Sequence, residues 1–163
     1  MSSDFYTSSI LPHAGIIIKI CRAYTDNQED FEDYYQEVCF QIWRSRDNFN
    51  NQSKWSTWIY RLSVNVCLTL LKTKAKKGFI LSESQAVDLP EEAHTGFSDE
   101  SLKQLYEAIR QLSEIDRAVI LLYLEEKSYQ EISEIIGTNA NNIGVRIKRI
   151  KERLKKLLDG KVN

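Results

Sequence analysis

Proline and glycine are scarce in this chain, two and six among 163 residues. Few positions can therefore break a helical hydrogen-bond ladder or loosen the backbone, and long helices are permitted. Strand signals are weak: no Asn-Gly or Asp-Gly turn joins two alternating apolar runs. No apolar stretch approaches the ~20 residues of a membrane span. Ile16-Ile17-Ile18 is short and gives way to Lys19, Cys21 and Arg22. The N-terminus has no basic region followed by an apolar core, so a signal peptide is not expected. A cytoplasmic chain with no membrane insertion is the expectation. Cysteine is sparse and odd in number. Cys21, Cys39 and Cys67 sit inside apolar helical patterns, as small buried hydrophobes do in a reducing compartment. His13 and His94 are far from any cysteine pair, which argues against zinc. No nucleophile stands beside a base and no carboxylates converge, so no catalytic residue, metal or cofactor is expected.

The chain also lacks net charge of either sign, −1 in total, but its charges are segregated. Residues 26–37 carry Asp26, Glu29, Asp30, Glu32, Asp33 and Glu37 without a base. Residues 54–77 carry Lys54, Arg61, Lys72, Lys74, Lys76 and Lys77 without an acid. Residues 83–100 are acidic again, and residues 146–156 hold seven Lys and Arg against Glu152 alone. Solvated helix faces usually mix signs. Basic blocks suit phosphates, and acidic blocks suit a basic protein surface or an extended linker.

Apolar residues recur at helical spacing along most of the chain. Helices are expected over residues 10–24, 29–45 and 56–76. Thr25-Asp26-Asn27 gives a turn and cap, and Asp47–Ser53 an Asn/Ser-rich loop. Ser56 or Thr57 is the expected cap of the third helix. Residues 78–100, with two glycines, Pro90 and the acidic block, read as a linker. A second helical domain begins near Ser101. The fold class is thus all-α: two small domains, 1–77 and 101–163, joined by an acidic linker. Domains of this size bury only about 60% of their unfolded surface, and a large partner would support them.

The sharpest local signal lies in Ser128–Leu158. Ser128 and Glu131 form a capping box, Gly137 ends the helix, and Asn139 caps the next. This is a helix-turn-helix pattern. Tyr129, Ile132, Ile135 and Ile136 would give the first helix its core face. Ile143, Ile147, Ile150, Leu154 and Leu157 would give the second its core stripe. Asn142, Arg146, Arg149, Arg153 and Lys156 share an adjacent face. Arg can read guanine and Asn adenine in a major groove, whereas an ordinary amphipathic helix would only solvate such a face. Gly144 is costly by ~1 kcal/mol in a helix interior.

A second stripe runs through Trp58, Arg61, Asn65, Leu68 and Lys72, beside Ile59, Leu62, Val66 and Leu70. An aromatic, a base and an amide next to a flexible loop suit single-stranded or melting DNA. Trp55 and Trp58 can equally be core residues of a small helical domain. The acidic stretch Asp30–Val38 reads either as a solvated face or as a dock for a basic partner.

These segments resemble a family. Asp33-Tyr34-Tyr35-Gln36-Glu37-Val38 through Ile42-Trp43-Arg44, Phe49, and Ser56–Asn65 are similar to the polymerase-binding and minus-ten domain of extracytoplasmic-function sigma factors. Leu112–Val119 and Ser128–Gly137 with the following helix are similar to that family's minus-thirty-five domain. The resemblance covers about residues 10–76 and 101–158. It implies a transcription initiation factor whose partners are bacterial core RNA polymerase, promoter DNA and an anti-sigma factor. It implies a polymerase dock at Asp33, Gln36, Glu37, Trp43 and Arg44. It implies minus-ten capture by the Asp47–Lys54 loop, including Asn51 and Lys54, with Trp58, Arg61, Asn65 and Lys72. It implies minus-thirty-five contacts from Asn139, Asn141, Asn142, Val145, Arg146, Arg149 and Arg153. The acidic linker would thread toward the polymerase active-site channel. Ala140–Val145 lacks the family's common Glu-Gly-Thr-Val opening, so base preferences do not transfer. A free-standing helix-turn-helix regulator would leave the acidic helix and the Trp/Arg/Asn stripe without a purpose. A metal-dependent helical nuclease would need the converging carboxylates that are missing.

Overall fold

The computed structural model describes residues 2–77, 87–94 and 99–162. The rest of the expected linker, 78–86 and 95–98, lies outside them. Among the described residues every regular element is helical. A short α1 (Ser3–Phe5), a π-turn (Tyr6–Ile10) and a 3-10 turn (Leu11–His13) lead into α2 (Ala14–Ala23). The expected helix from residue 10 therefore starts four residues later. Pro12, inside the 3-10 turn, has no N–H to continue an α-helical ladder. Then come α3 (Gln28–Ser45) and α4 (Trp55–Lys77). Asn27 caps α3, its Oδ1 accepting from the Asp30 N–H at 2.8 Å. α4 starts at Trp55, ahead of the expected caps: the Trp58 N–H donates to the Lys54 carbonyl, and Thr57 lies buried in the first turn. The carboxy-terminal module holds α5 (Glu100–Ile109), α6 (Glu114–Leu124), α7 (Tyr129–Ile136) and α8 (Ala140–Val162).

One continuous apolar core runs through both modules. Phe31, Tyr34, Tyr35, Val38 and Ile42 of α3, Ile17 and Ile20 of α2 and Ile59 of α4 are its buried members in the amino-terminal module. Ile109, Val119, Leu122, Ile132 and Ile143 continue the same core through the second module. Each such side chain contributes about 1.5–3 kcal/mol by leaving water. Cys21, Cys39 and Cys67 are unbridged and fully buried, and burial raises the Cys21 and Cys39 thiols away from reactive thiolate.

The modules pack on each other, α2 against α6 and α4 against α7. The Tyr24 hydroxyl donates to the Glu114 carbonyl at 2.6 Å. Arg110 donates to the Thr25 carbonyl at 2.9 Å, satisfying an acceptor left open past the end of α2. Lys19 pairs with Glu125 at 2.7 Å. Between the modules, Val87–His94 lies along α2 and α3. Arg22 and Gln28 donate to the Glu92 and Ala93 carbonyls.

Candidate nucleic-acid interface

The α7–turn–α8 unit is built from its caps. Ser128 Oγ accepts from the Glu131 N–H at 3.0 Å. Gly137 adopts φ 91°, which a side chain would resist, and its N–H returns to the Ser133 carbonyl. Asn139 Oδ1 accepts from the Asn142 N–H at 2.9 Å and starts α8. Ile143, Ile147, Ile150 and Leu154 are buried, which fixes the rotation of the helix; Leu157 is half-buried. Asn139, Asn141, Asn142, Val145, Arg149 and Arg153 consequently face solvent, with Val145 52% exposed. An exposed valine there can meet a thymine methyl. The Asn142 amide also donates to Thr138 Oγ1 at 3.0 Å. Arg146 is half-buried, bound through Nη1 to Asp116 Oδ1 at 2.7 Å.

Tyr129 departs from its expected place in the core. It is 42% exposed and lies over α8. A Cβ at Gly144 would stand 3.3 Å from the Tyr129 ring. Gly144 thus lets the ring rest close to the helix backbone. Tyr129 also neighbours Tyr123, centroid to centroid 6.3 Å.

On the amino-terminal module, Trp58 stacks on Trp55 at 5.1 Å, with Phe49 5.7 Å away. Phe5 adds edge contacts to Trp55 and Trp43. The Trp55 indole donates to the Ser9 carbonyl. Trp58 is therefore part of an aromatic cluster that roots the Asp47–Lys54 loop. Asn51 is exposed at the loop tip with φ 63°, a left-handed value that Asn tolerates. Lys54, Asn65 and Lys72 are exposed. Asn65 lines a hollow of about 430 Å³ between α3 and α4, with Glu37, Gln41, Leu62, Val66 and Thr69. Arg61, one turn before Asn65, is engaged elsewhere. Its Nε and Nη2 both donate to the Glu134 carbonyl of α7, at 3.1 and 2.5 Å.

The residues of the expected polymerase dock differ in access. Arg44 is exposed, and Asp33 is half-buried. Burial, then Glu29, Asp30 and Glu32, push the Asp33 carboxyl up, so a basic partner would relieve local repulsion. Gln36 forms a reciprocal pair with linker residue Val87, donating to its carbonyl and accepting from its N–H. Glu37 is buried, 5% exposed, and accepts from Gln41 within the α3–α4 hollow. Trp43 carries Arg46 over its ring at 3.6 Å.

The residues that sequence reasoning missed are the partners: Asp116 on Arg146, Glu134 on Arg61 and Val87 on Gln36. Only Gly144 left a trace, as a costly residue in a helix interior. No group of three or more His, Cys, Asp or Glu among the described residues could hold a metal ion. No described helix is long and apolar enough to cross a membrane.

Comparison with known proteins agrees with both modules. The family model "Sigma-70 region 2" matches residues 10–77, and "Sigma-70, region 4" matches residues 102–154. The ECF RNA polymerase sigma factor SigW of Bacillus subtilis is 30% identical over 156 residues, covering 87% of this chain and 82% of that protein. The ECF sigma-E factor of Haemophilus influenzae is 28% identical, covering 78% and 74%. The fold is similar to that of the sigma factor RpoE in complex with the anti-sigma factor NepR from Bartonella quintana. That match has a TM-score of 0.71, 20% identity and coverage of 97% of this chain and 98% of the other. It is also similar to CnrH in complex with the cytosolic domain of CnrY, with a TM-score of 0.72, 18% identity and coverage of 98% and 90%. With a region 2 module, a region 4 helix-turn-helix and a relative matched over most of its length, the chain belongs to the ECF RNA polymerase sigma factors.

Proposed function

We propose that this chain acts as two readers on one carrier, with residues 1–77 holding core polymerase and opening the minus-ten element and residues 101–163 reading the minus-thirty-five duplex. The observation that carries this reading is the outward polar face of α8, set by the buried isoleucine stripe. Asn141, Asn142, Val145, Arg146 and Arg149 enter the major groove, and Asn139 and Arg153 meet the flanking backbone. Asn51, Lys54, Trp58, Arg61, Asn65 and Lys72 hold the separated minus-ten strand. An unstacked base finds the α3–α4 hollow beside Asn65, and Lys72 and Arg61 balance its phosphates. Asp33, Gln36, Glu37, Trp43 and Arg44 form the polymerase dock, and residues 78–100 link the modules toward the active-site channel. The chain supplies recognition and no bond chemistry, and it works in the cytoplasm. The two similar structures are complexes with anti-sigma factors, and a regulator of that kind is the third partner here.

Run-off transcription with purified core polymerase on genomic fragments tests the reading. Discrete transcripts that require this chain are expected. Sequence-specific promoter binding without polymerase, and no transcripts with it, would instead make the chain a free-standing regulator.

A further inference from the structure

The Arg146–Asp116 pair joins helices that are remote in sequence. Asp116 lies in the first turn of α6 and Arg146 in the second turn of α8. Their contact is 2.7 Å, with side chains 25% and 38% exposed. Arg146 lines two hollows. One, of about 400 Å³, runs past Gly137, Thr138, Asn142 and Val145 at the turn. The other, of about 270 Å³, holds Asp116 with Arg146, Arg149 and Arg153. An ion pair this open adds little to stability, because solvent screens it. What it does is fix a long side chain that would otherwise sample many rotamers.

We infer that Asp116 is a positioning residue for minus-thirty-five specificity: it holds Arg146 by Nη1 so that the remaining edge of the guanidinium faces the groove. This rests on the assignment of Arg146 as a base reader. A guanidinium carries five donors in a rigid fork, so an Nη1 contact leaves the Nε–Nη2 edge geometrically suited to the O6 and N7 of guanine. A pre-set fork loses less freedom on meeting the matching base. The Asp116 carboxylate has a second effect. It shares a hollow with Arg153, where phosphate would approach. There its charge opposes phosphates at every site, and only the matching base offsets that cost through the oriented fork, so wrong sites bind weakly. A carboxylate that only braced the module would help every site equally.

The test uses the full chain with core polymerase and a set of promoters varied one base at a time in the minus-thirty-five element. Binding is measured for the native chain, Asp116→Ala, Asp116→Asn, Arg146→Ala and the Asp116→Ala/Arg146→Ala pair, with thermal unfolding as a check on folding. Arg146→Ala should cost about ten- to a hundredfold in preference at the base it reads. Asp116→Ala should cost about three- to tenfold in preference at that same base, while wrong sites bind as well or better. Asp116→Asn keeps an acceptor without the charge and should fall between. With Arg146 already truncated, Asp116→Ala should leave preference unchanged. Parallel weakening at all sites by both Asp116 variants would overturn the inference, as would the same change in preference without Arg146. If Arg146→Ala itself weakens all sites alike, the base-reading assignment fails first, and Asp116 fails with it. If Arg146→Ala shifts preference and neither Asp116 variant does, the assignment stands and the positioning role is wrong.

Discussion

α4 and α8 are both 23-residue helices that carry a polar stripe, and the fold treats the two stripes differently. α8 packs on α5, α6 and α7 through its isoleucines, and its Asn/Arg face stays in solvent except for Arg146, which is half-buried on Asp116 of α6. α4 packs on α2, α3 and α7. Its stripe is therefore divided. Trp58 belongs to an aromatic cluster, Arg61 is bound by an α7 carbonyl, and Asn65 and Lys72 remain exposed. A duplex can meet α8 as it stands. A separated strand can meet the whole α4 stripe only after α7 gives up Arg61. Both DNA assignments belong to the proposed reading, and the difference between the helices follows from packing alone.

The comparison breaks most visibly if the modules are parted. Arg110 and Arg117 donate to carbonyls at the end of α2, and a hydrogen bond to a charged group contributes about 1.5–3 kcal/mol. Arg110→Ala with Arg117→Ala should move the modules apart, seen as reduced energy transfer between dyes on α4 and α8. Unchanged transfer would mean that these contacts do not hold the packing. On α8, Arg146→Ala should alter preference among minus-thirty-five variants by about 1–3 kcal/mol, whereas Arg153→Ala should weaken all sites alike and flatten the salt dependence. A uniform loss for Arg146→Ala would move that residue to the phosphate class. Gly144→Ala sharpens the account of the α7–α8 contact. Ala is favoured over Gly in a helix by about 1 kcal/mol. That gain should be largely offset by the Tyr129 ring 3.3 Å from the new Cβ. It should reappear in a Tyr129→Ala background, and equal denaturation shifts in both backgrounds would contradict the contact.

The smallest effect is that of pH. Burial, then Lys127 of the other module, lowers the His13 pKa below its usual value. The folded chain thus holds the proton less tightly than the unfolded chain. The associated stability is full above the ordinary histidine range and is lost as pH falls through it to the depressed folded value. A thermal midpoint that declines over that window, and declines less in His13→Gln, is expected. Equal pH profiles would show that His13 does not carry this dependence.

Much of this was legible in the sequence where the signal is local. Asn27, Ser128, Gly137 and Asn139 each act on backbone within a few residues, and all of them punctuate helices as expected. The isoleucines of α8 fix which side of that helix faces out. What was not legible depends on distance along the chain. Arg61 and Glu134 are 73 residues apart, and Arg146 and Asp116 are 30 apart. Helical periodicity carries no information over such separations. The place of Tyr129 is illegible for a related reason: its spacing fits the core face of α7, but the absent side chain at Gly144 offers its ring a seat on α8 instead. The start of α2 was missed because apolar spacing continues through the turns around Pro12.

Strand capture by α4 and duplex reading by α8, the two halves of the proposed function, are separated by promoter opening. Permanganate reactivity of unpaired thymines can be followed over time with core polymerase and Asn65→Ala. One template is fully duplex, and the other is already mismatched at the minus-ten element. The exposed Asn65 beside its hollow should slow opening on the duplex when truncated, while core binding stays almost unchanged. On the mismatched template the defect should shrink, because the cost of unpairing has been removed. An equal defect on both templates would contradict the capture role.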